Sequence, residues 1–106
     1  MSVFNEVHVR LTCPNCGNAV TAAVQFRFGE LWQYQYEVGD QLRWGVNDVG
    51  NRDMVARVLG YFKCPKCRQL VPAEIVVDHG RIIAVRVMMR EEERQLEQAG
   101  DFVVDG

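Results

Sequence analysis

Two short turns of related sequence, TCPNCGNAV and KCPKCRQLV, hold all four cysteines of this 106-residue chain. In each turn a proline follows the first cysteine, and it stiffens the turn because its ring fixes φ at about −65°. Gly17 follows the second cysteine of the first turn and can take the left-handed conformation that closes it. Arg68 replaces the glycine at the same place in the second turn. If that position is left-handed, the arginine carries about 1–2 kcal/mol of strain.

The spacing of the cysteines favours a metal site. The segment MSVFNEVHV lacks the charged and apolar blocks of a signal peptide, and no window approaches the ~18 apolar residues of a membrane helix, so we expect a cytoplasmic protein without a membrane partner. In a reducing compartment, close pairs of cysteines are metal ligands more often than disulfides. Two such turns brought together form a closed tetrahedral site with four thiolate ligands. We therefore expect one structural Zn²⁺, bound by Cys13, Cys16, Cys64 and Cys67.

The two cysteine turns resemble the rubredoxin-like knuckles of zinc ribbons. The resemblance covers the two motifs and their flanking strands, and it implies a zinc ion held between the tips of two β-hairpins. Forty-seven residues separate Cys16 from Cys64, whereas common zinc sites have about 15–20. We therefore expect a ribbon extended by an inserted sheet. The build also resembles that of small, uncharacterised bacterial proteins with widely spaced Cys-Pro-x-Cys pairs.

Two other uses of the same cysteines stay open. Iron, as in rubredoxin, would fit the same four sulfurs, because thiolate ligands do not separate the two metals. A thiol-redox or metal-responsive protein would instead use the cysteines as reactive dithiols. Redox pairs usually sit at a helix N-terminus in a βαβ setting, which this β-rich pattern lacks, so structural zinc is favoured.

Apolar and polar residues alternate on both sides of the first cysteine turn, which predicts two half-buried strands. The apolar positions are Val7, Val9 and Leu11 before the turn and Val20, Ala22, Val24, Phe26 and Phe28 after it. A third alternating run, LWQYQYEV, follows. A three-residue loop from Gly29 to Leu31 would place Trp32 opposite Phe28, whereas a two-residue loop would pair apolar with polar side chains. We therefore predict a bulged hairpin with one aromatic face in the core.

The second half of the chain predicts further strands and one short helix. Residues 54–62 fit a helical turn or a strand, and their β-branched content favours the strand. The run PAEIVVDHGRIIAVRVMM predicts a hairpin that turns at His79–Gly80 and, being apolar on both faces, lies centrally. The run REEERQLEQAG predicts a helix with Glu91 to Glu93 in its first turn and Gly100 just past its end. The tail DFVVDG is either a docked strand or a frayed end.

These patterns together predict one mainly β domain over residues 1–106: a zinc ribbon extended by an antiparallel sheet of two hairpins, with a short C-terminal helix. The segment Gly39 to Asp53 is rich in Gly, Asn and Asp and predicts a long loop around a short strand at Leu42 to Trp44. We predict that this loop binds a protein partner through Arg43 and Trp44, because loops carry recognition and Trp and Arg dominate binding energy.

The inventory of reactive residues argues against an enzyme. Four cysteine ligands would leave the metal without an open coordination position for hydrolysis. The only serine is Ser2, and the two histidines stand apart, His8 on the polar face of a strand and His79 at a turn. We therefore predict a non-catalytic binding module with no catalytic residue.

Both lysines of the chain, Lys63 and Lys66, lie at the second cysteine turn, and Arg68 follows them. Cations there balance the charge of a metal–thiolate centre, or they contact an acidic partner or nucleic acid. Any nucleic-acid binding would be weak, because the net charge of the chain is −2 and affinity scales with the phosphates neutralised. The sequence also leaves a homo-oligomer open, formed through an exposed sheet edge.

Overall fold

The computed structural model describes residues 4–46, 48–50, 52–100 and 102–105. The elements are β1 (Asn5–Thr12), β2 (Ala19–Phe26), β3 (Gly29–Glu30), β4 (Gln35–Glu37), β5 (Asp48–Val49), β6 (Val55–Lys63), β7 (Leu70–Asp78), β8 (Arg81–Val87), α1 (Arg90–Gln98) and β9 (Phe102–Asp105). The mainly β class with one short C-terminal helix is confirmed. In the described part of the chain, no helix combines the length and apolar character needed to span a bilayer.

Seven strands form one curled sheet, in the order β4-β1-β2-β6-β7-β8, with β9 also paired to β6. Strand β6 pairs with β7 along its whole length. Its other edge is shared, because β9 pairs with Val55–Val58 and β2 pairs with Gly60 and Tyr61. Strands β1 and β4 run parallel, so the sheet is mixed and not wholly antiparallel. A second, two-stranded sheet joins β3 to β5.

The core lies inside the curl of the large sheet and confirms the predicted alternation along β1 and β2. From β1, Val7 is buried, and the inward positions of β2 are buried as well. These side chains join those of β6, β7 and β8 in one cluster, which includes Ala22, Val24, Phe26, Val58, Phe62, Val71, Ile75, Val77 and Ile82. Cys13 and Cys64 belong to the same cluster, so the cysteine turns are continuous with the core.

The predicted aromatic hairpin after β2 is wrong. Strand β2 pairs with β1 and β6, while Tyr36 in β4 lies beside Val7 of β1. Strand β2 ends at Phe26, and Gly29, with a φ of +77°, begins β3, which pairs with β5. Trp32 is 71% exposed, so it does not lie in the core as predicted. The prediction failed because several strands of this chain alternate in the same way, so an apolar face alone does not determine which strand pairs with β2.

Buried Asn5 explains why the chain leaves β2 at this point. Its side-chain amide donates hydrogen bonds to the carbonyl oxygens of Phe28 (3.1 Å) and Glu30 (3.0 Å). Its side-chain oxygen accepts hydrogen bonds from the backbone N–H groups of Trp32 (3.4 Å) and Tyr34 (3.1 Å). One side chain therefore satisfies four backbone groups of the connecting segment, which would otherwise be costly to bury.

The remaining sequence predictions are mostly confirmed. Residues 55–63 are a strand, and the β7–β8 hairpin turns at His79 and Gly80, whose φ values of 50° and 81° fit a two-residue hairpin turn. Strand β8 nevertheless lies at the end of the sheet order and not centrally. The predicted strand at Leu42 to Trp44 is wrong, since that segment forms no strand and only Gln41 makes an isolated bridge, to Arg81. The tail is a docked strand, β9.

Helix α1 covers part of the outer face of the sheet. Its buried Leu96 packs with Leu59 and Met88. The hydroxyl of Tyr61 lies 2.8 Å from Glu93 Oε2 and 2.9 Å from Glu97 Oε1, and donates its proton to one carboxylate at a time. Burial and these two carboxylates raise the pKa of Tyr61. The predicted acidic first turn and the left-handed Gly100 after the helix are both present.

Candidate metal centre

The two cysteine turns lie at the tips of hairpins, as the resemblance to zinc ribbons implied. The first knuckle (residues 13–18) joins β1 to β2, and the second knuckle (residues 64–69) joins β6 to β7. Each is closed by the same two backbone hydrogen bonds. In the first, Gly17 N–H donates to Cys13 O (2.8 Å) and Cys13 N–H to Asn18 O (2.9 Å). In the second, Arg68 N–H donates to Cys64 O (2.8 Å) and Cys64 N–H to Gln69 O (3.0 Å).

Both knuckles require a left-handed residue after the second cysteine. Gly17 has a φ of +72° and Arg68 a φ of +62°, so both positions are left-handed. A glycine takes this conformation freely, whereas an arginine there carries about 1–2 kcal/mol of strain. The second knuckle therefore stores strain that the rest of the fold must offset.

The four sulfur atoms, which no disulfide joins, form one compact cluster. All four Sγ atoms lie within 4.8 Å of one another. The closest pairs cross between the knuckles: Cys13 Sγ lies 3.7 Å from Cys67 Sγ, and Cys16 Sγ lies 3.7 Å from Cys64 Sγ. A tetrahedral site with Zn–S bonds of about 2.3 Å has sulfurs about 3.8 Å apart, whereas a disulfide bond measures about 2.05 Å. The cluster is therefore able to hold one metal ion.

The electrostatics of the cluster also suit a cation. Hydrogen bonds from the backbone N–H groups of Cys67 and Lys66 lower the pKa of Cys64 to about 6. A backbone hydrogen bond from Asn18 likewise lowers the pKa of Cys16. The N–H of Gln69 acts in the same direction on Cys67, but burial and the neighbouring sulfurs outweigh it and raise the pKa of Cys67 to about 11. Negative charge on the neighbouring sulfurs therefore disfavours the thiolate of Cys67. A divalent cation would offset this repulsion and favour ionisation of all four cysteines.

The predicted basic residues lie at the second knuckle. Lys63 ends β6, and Lys66 and Arg68 lie on the turn; all three side chains are exposed. Lys63 is the cross-strand neighbour of Leu70 at the start of β7. The structure thus brings these three cations to the metal end of the molecule, where both predicted uses, charge balance and partner contact, stay predictions.

Arg43 and Trp44 lie at the other end of β1 from the first knuckle. The guanidinium of Arg43 lies 4.9 Å from the centre of the Tyr34 ring, and its backbone N–H donates to the Tyr36 hydroxyl (3.0 Å). Trp44 is half-buried and packs edge-to-face on Phe28, with ring centres 5.8 Å apart. Arg43 is therefore the more accessible of the two predicted partner-binding residues.

Sequence reasoning missed the residues that organise this loop. Glu30 accepts hydrogen bonds from the Tyr34 hydroxyl (2.9 Å) and from the backbone N–H of Val46 (3.2 Å), and the first of these raises the pKa of Tyr34. Val46 itself is fully exposed. The one signal available was Asn5, a polar residue in register with buried Val7 on the inward face of β1. A polar side chain at a core position indicates a backbone hydrogen-bond network.

The two histidines are exposed on the surface. His8 contacts Gln35, and His79 contacts Asp78 beside it in the β7–β8 turn. Neither is among the residues whose ligand atoms cluster with the four sulfurs.

Comparison of the chain with protein-family models, curated proteins and solved structures finds no match.

Proposed function

We propose that this chain is a structural-zinc protein that acts as a non-catalytic protein-binding module. The observation that carries the proposal is the cluster of four cysteine sulfurs, with its two 3.7 Å pairs crossing between the knuckles. All four positions of a tetrahedral ion would be filled by protein, which is the arrangement of structural zinc sites and not of hydrolytic ones.

The position of the cluster explains what the metal would do. The ladder between β2 and β6 comprises two residue pairs, Gln25 with Tyr61 and Phe26 with Gly60, at the end of β2 away from the knuckles. Toward the knuckles the two hairpins meet through core side chains and the four sulfurs. A metal ion there would link the β1–β2 hairpin to the β6–β7 hairpin where their strands are not hydrogen-bonded. Its binding free energy would add to the folding free energy.

Support for protein binding comes from the surface at the opposite end. We define the loop-end surface as Trp32, Arg43 and Val46, which are exposed around Glu30. The backbone here is held by Asn5 and Glu30, so these side chains are displayed on an ordered segment. Exposed Trp and Arg on a rigid support are the residues that most often dominate protein–protein binding energy.

The metal is tested by native mass spectrometry of the purified protein with and without a chelator. We expect one zinc ion per chain, lost only as the charge-state distribution broadens on unfolding. Iron in its place would change the metal but keep the clamp. A metal lost without unfolding, or no metal, would overturn the clamp and favour reactive thiols, for which the lowered pKa of Cys64 is the relevant property.

The binding role is tested by affinity capture with the zinc-loaded protein and a Trp32→Ser/Arg43→Ala variant. We expect a partner protein that the variant loses, while a Val38→Ser control, altered at an exposed apolar residue elsewhere, retains it. Retention of every captured protein by the double variant would exclude the loop-end surface.

Three exposed cations, Lys63 at the end of β6 and Lys66 and Arg68 on the second knuckle, support a second candidate, a nucleic-acid accessory. Binding of this kind would weaken steeply with salt and would fall when Lys63, Lys66 and Arg68 are neutralised. Equal binding of an oligonucleotide at low and high salt would exclude it.

A further inference from the structure

A groove of about 200 Å³ lies beside the metal centre, between the first knuckle and the strand that follows the second. We call it the knuckle groove. Its lining includes Pro14, Asn15, Leu70, Pro72, Met89 and Arg90. The groove therefore combines residues from both hairpins with the segment that leads into α1.

Two large apolar side chains in the lining of the knuckle groove are exposed to solvent. Leu70 is 65% exposed and Met89 is 73% exposed, although both are large apolar side chains. The segment before α1 is held in place, because Met88 is buried and its backbone N–H donates to the carbonyl oxygen of Pro72 (3.1 Å). An apolar side chain inserted between Leu70 and Met89 would remove apolar area of both from water, which favours binding.

Cations surround these apolar side chains. Arg90 lines the groove, and Lys63 is the cross-strand partner of Leu70, so the two side chains lie on the same face about 5 Å apart at Cβ. Lys66 and Arg68 lie on the adjoining turn. The four cations exceed the charge of about −2 that a zinc–tetrathiolate centre would carry.

None of the described residues that line the knuckle groove carries a carboxylate. Residues 13–18 of the first knuckle carry no charged side chain besides the cysteines. In the first turn of α1, Glu93 contacts the Tyr61 hydroxyl, and Glu92 lies 3.9 Å from Arg86. Glu91 is exposed and partly offsets Arg90. Glu92 and Glu93 keep their negative charge but are directed at Arg86 and Tyr61, so the charge in the groove lining itself is the positive charge of Arg90.

We propose that the knuckle groove binds a short acidic segment of a partner protein that carries a large apolar side chain. The apolar side chain lies between Leu70 and Met89, and flanking carboxylates pair with Arg90 and Lys63 through charge-assisted hydrogen bonds. The proposal rests on the proposed function as a protein-binding module and gives it a second surface, distinct from the loop-end surface. Because the groove joins two hairpins that the sulfur cluster brings together, the segment binds the metal-loaded fold.

The test is a selection of displayed random dodecapeptides on the zinc-loaded protein, followed by measurement of Kd for the best peptides by fluorescence anisotropy. We expect enriched peptides to combine Asp or Glu with Leu, Ile, Phe or Met. We expect Leu70→Ser and Arg90→Glu each to weaken binding by about 10-fold or more, as for a central anchor and its charge partner. Ile83→Ser, at an exposed apolar residue of β8, is the matched control and should leave Kd unchanged. Zinc content and circular dichroism verify that each variant is folded.

Four results would contradict the proposal that the knuckle groove binds an acidic segment. These are enrichment of neutral or basic peptides, no enrichment above background, displacement of the peptides by a mixed-sequence oligonucleotide of equal charge, or a dimer in sedimentation that Leu70→Ser abolishes. Peptides that lose binding in Trp32→Ser but not in Leu70→Ser would overturn the groove and leave the proposed function standing. Failure of the capture experiment with groove-binding peptides in hand would leave the groove standing and remove the loop-end surface.

Discussion

Glu74 and Arg86 face each other across the β7–β8 ladder, and Glu74 Oε2 accepts hydrogen bonds from Arg86 Nε (3.2 Å) and Nη2 (2.9 Å). The carboxylate is 1% exposed, whereas the side chain of Arg86 is 62% exposed. The hydrogen bond and charge of Glu74 raise the pKa of Arg86. A buried acid on the interior strand β7 is thus held by a cation that reaches in from the end of the sheet.

Removing the cation should destabilise the fold. In Arg86→Met the Glu74 carboxylate is buried without its partner, and we expect the free energy of unfolding to fall by about 2–3 kcal/mol. This is less than for a fully buried ion pair, because the exposed Arg86 side lets water reach the pair. Urea unfolding measures the loss, and Arg10→Met, at an exposed arginine of β1, is the control. The double variant Glu74→Leu/Arg86→Met should recover most of the stability; an equally unstable double variant would contradict this account.

Removing one sulfur should release the metal and loosen the domain. For Cys16→Ser and for Cys64→Ser we expect zinc content to fall from one per chain toward zero and cooperative thermal unfolding to be lost, since structural zinc contributes about 10 kcal/mol or more. Elemental analysis and circular dichroism follow the two effects. His8→Ala and His79→Ala should be nearly silent. An unchanged melting curve in a cysteine variant would contradict the clamp.

Replacing Arg68 by glycine should relieve the strain of the second knuckle. With φ at +62°, Arg68→Gly should stabilise the zinc-loaded protein by about 1 kcal/mol. Gly17→Ala, at +72° in the first knuckle with open space around its Cα, should destabilise it by a similar amount. Thermal unfolding of both variants with bound zinc provides the comparison, and equal shifts of the same sign would refute the argument.

Replacing Asn5 should free the segment that follows β2. Asn5→Ala removes the partner of four backbone groups, for which we expect a loss of about 2–4 kcal/mol in unfolding free energy. Hydrogen exchange should accelerate at the amides of Trp32 and Tyr34. Asn5→Asp keeps the acceptor but loses the donor, so it should protect those two amides better than alanine does. Equal exchange in the two variants would argue against the Asn5 network.

The helix should respond to alkaline pH through Tyr61. Its pKa is raised above the ordinary value of 10.0, mainly by burial and then by Glu93 and Glu97. A raised pKa in the folded state means that the contribution of Tyr61 is fully present below pH 10 and is lost as pH rises further, because the unfolded chain ionises first. The free energy of unfolding, measured in urea, should therefore fall more steeply above pH 10 in the native protein than in Tyr61→Phe. Parallel curves would contradict this.

Local chemistry explains what could be predicted from the sequence. The proline and the left-handed residue define each knuckle within six residues, and the His79–Gly80 turn defines the last hairpin in the same way. Alternation identified β1 and β2, because each has one face in the core. These features depend on neighbours in the chain, so no knowledge of distant contacts was needed.

Pairing between distant strands could not be predicted from the same patterns. Val7 of β1 lies beside Tyr36 of β4 in a parallel pair, and any strand with an apolar face could have taken that place. The choice depends on Asn5, whose partners are backbone groups that have no sequence signature. The loop containing Trp32 was misplaced for that reason, and with it the most exposed aromatic side chain of the described chain.

The shared edge of β6 has a consequence for solubility. Strand β9 occupies the backbone groups of Val55–Val58 that β2 leaves unpaired. Without β9, this row of N–H and C=O groups on β6 would be a template for a strand of another molecule. By pairing with this part of β6, strand β9 therefore protects the edge against intermolecular strand pairing and aggregation.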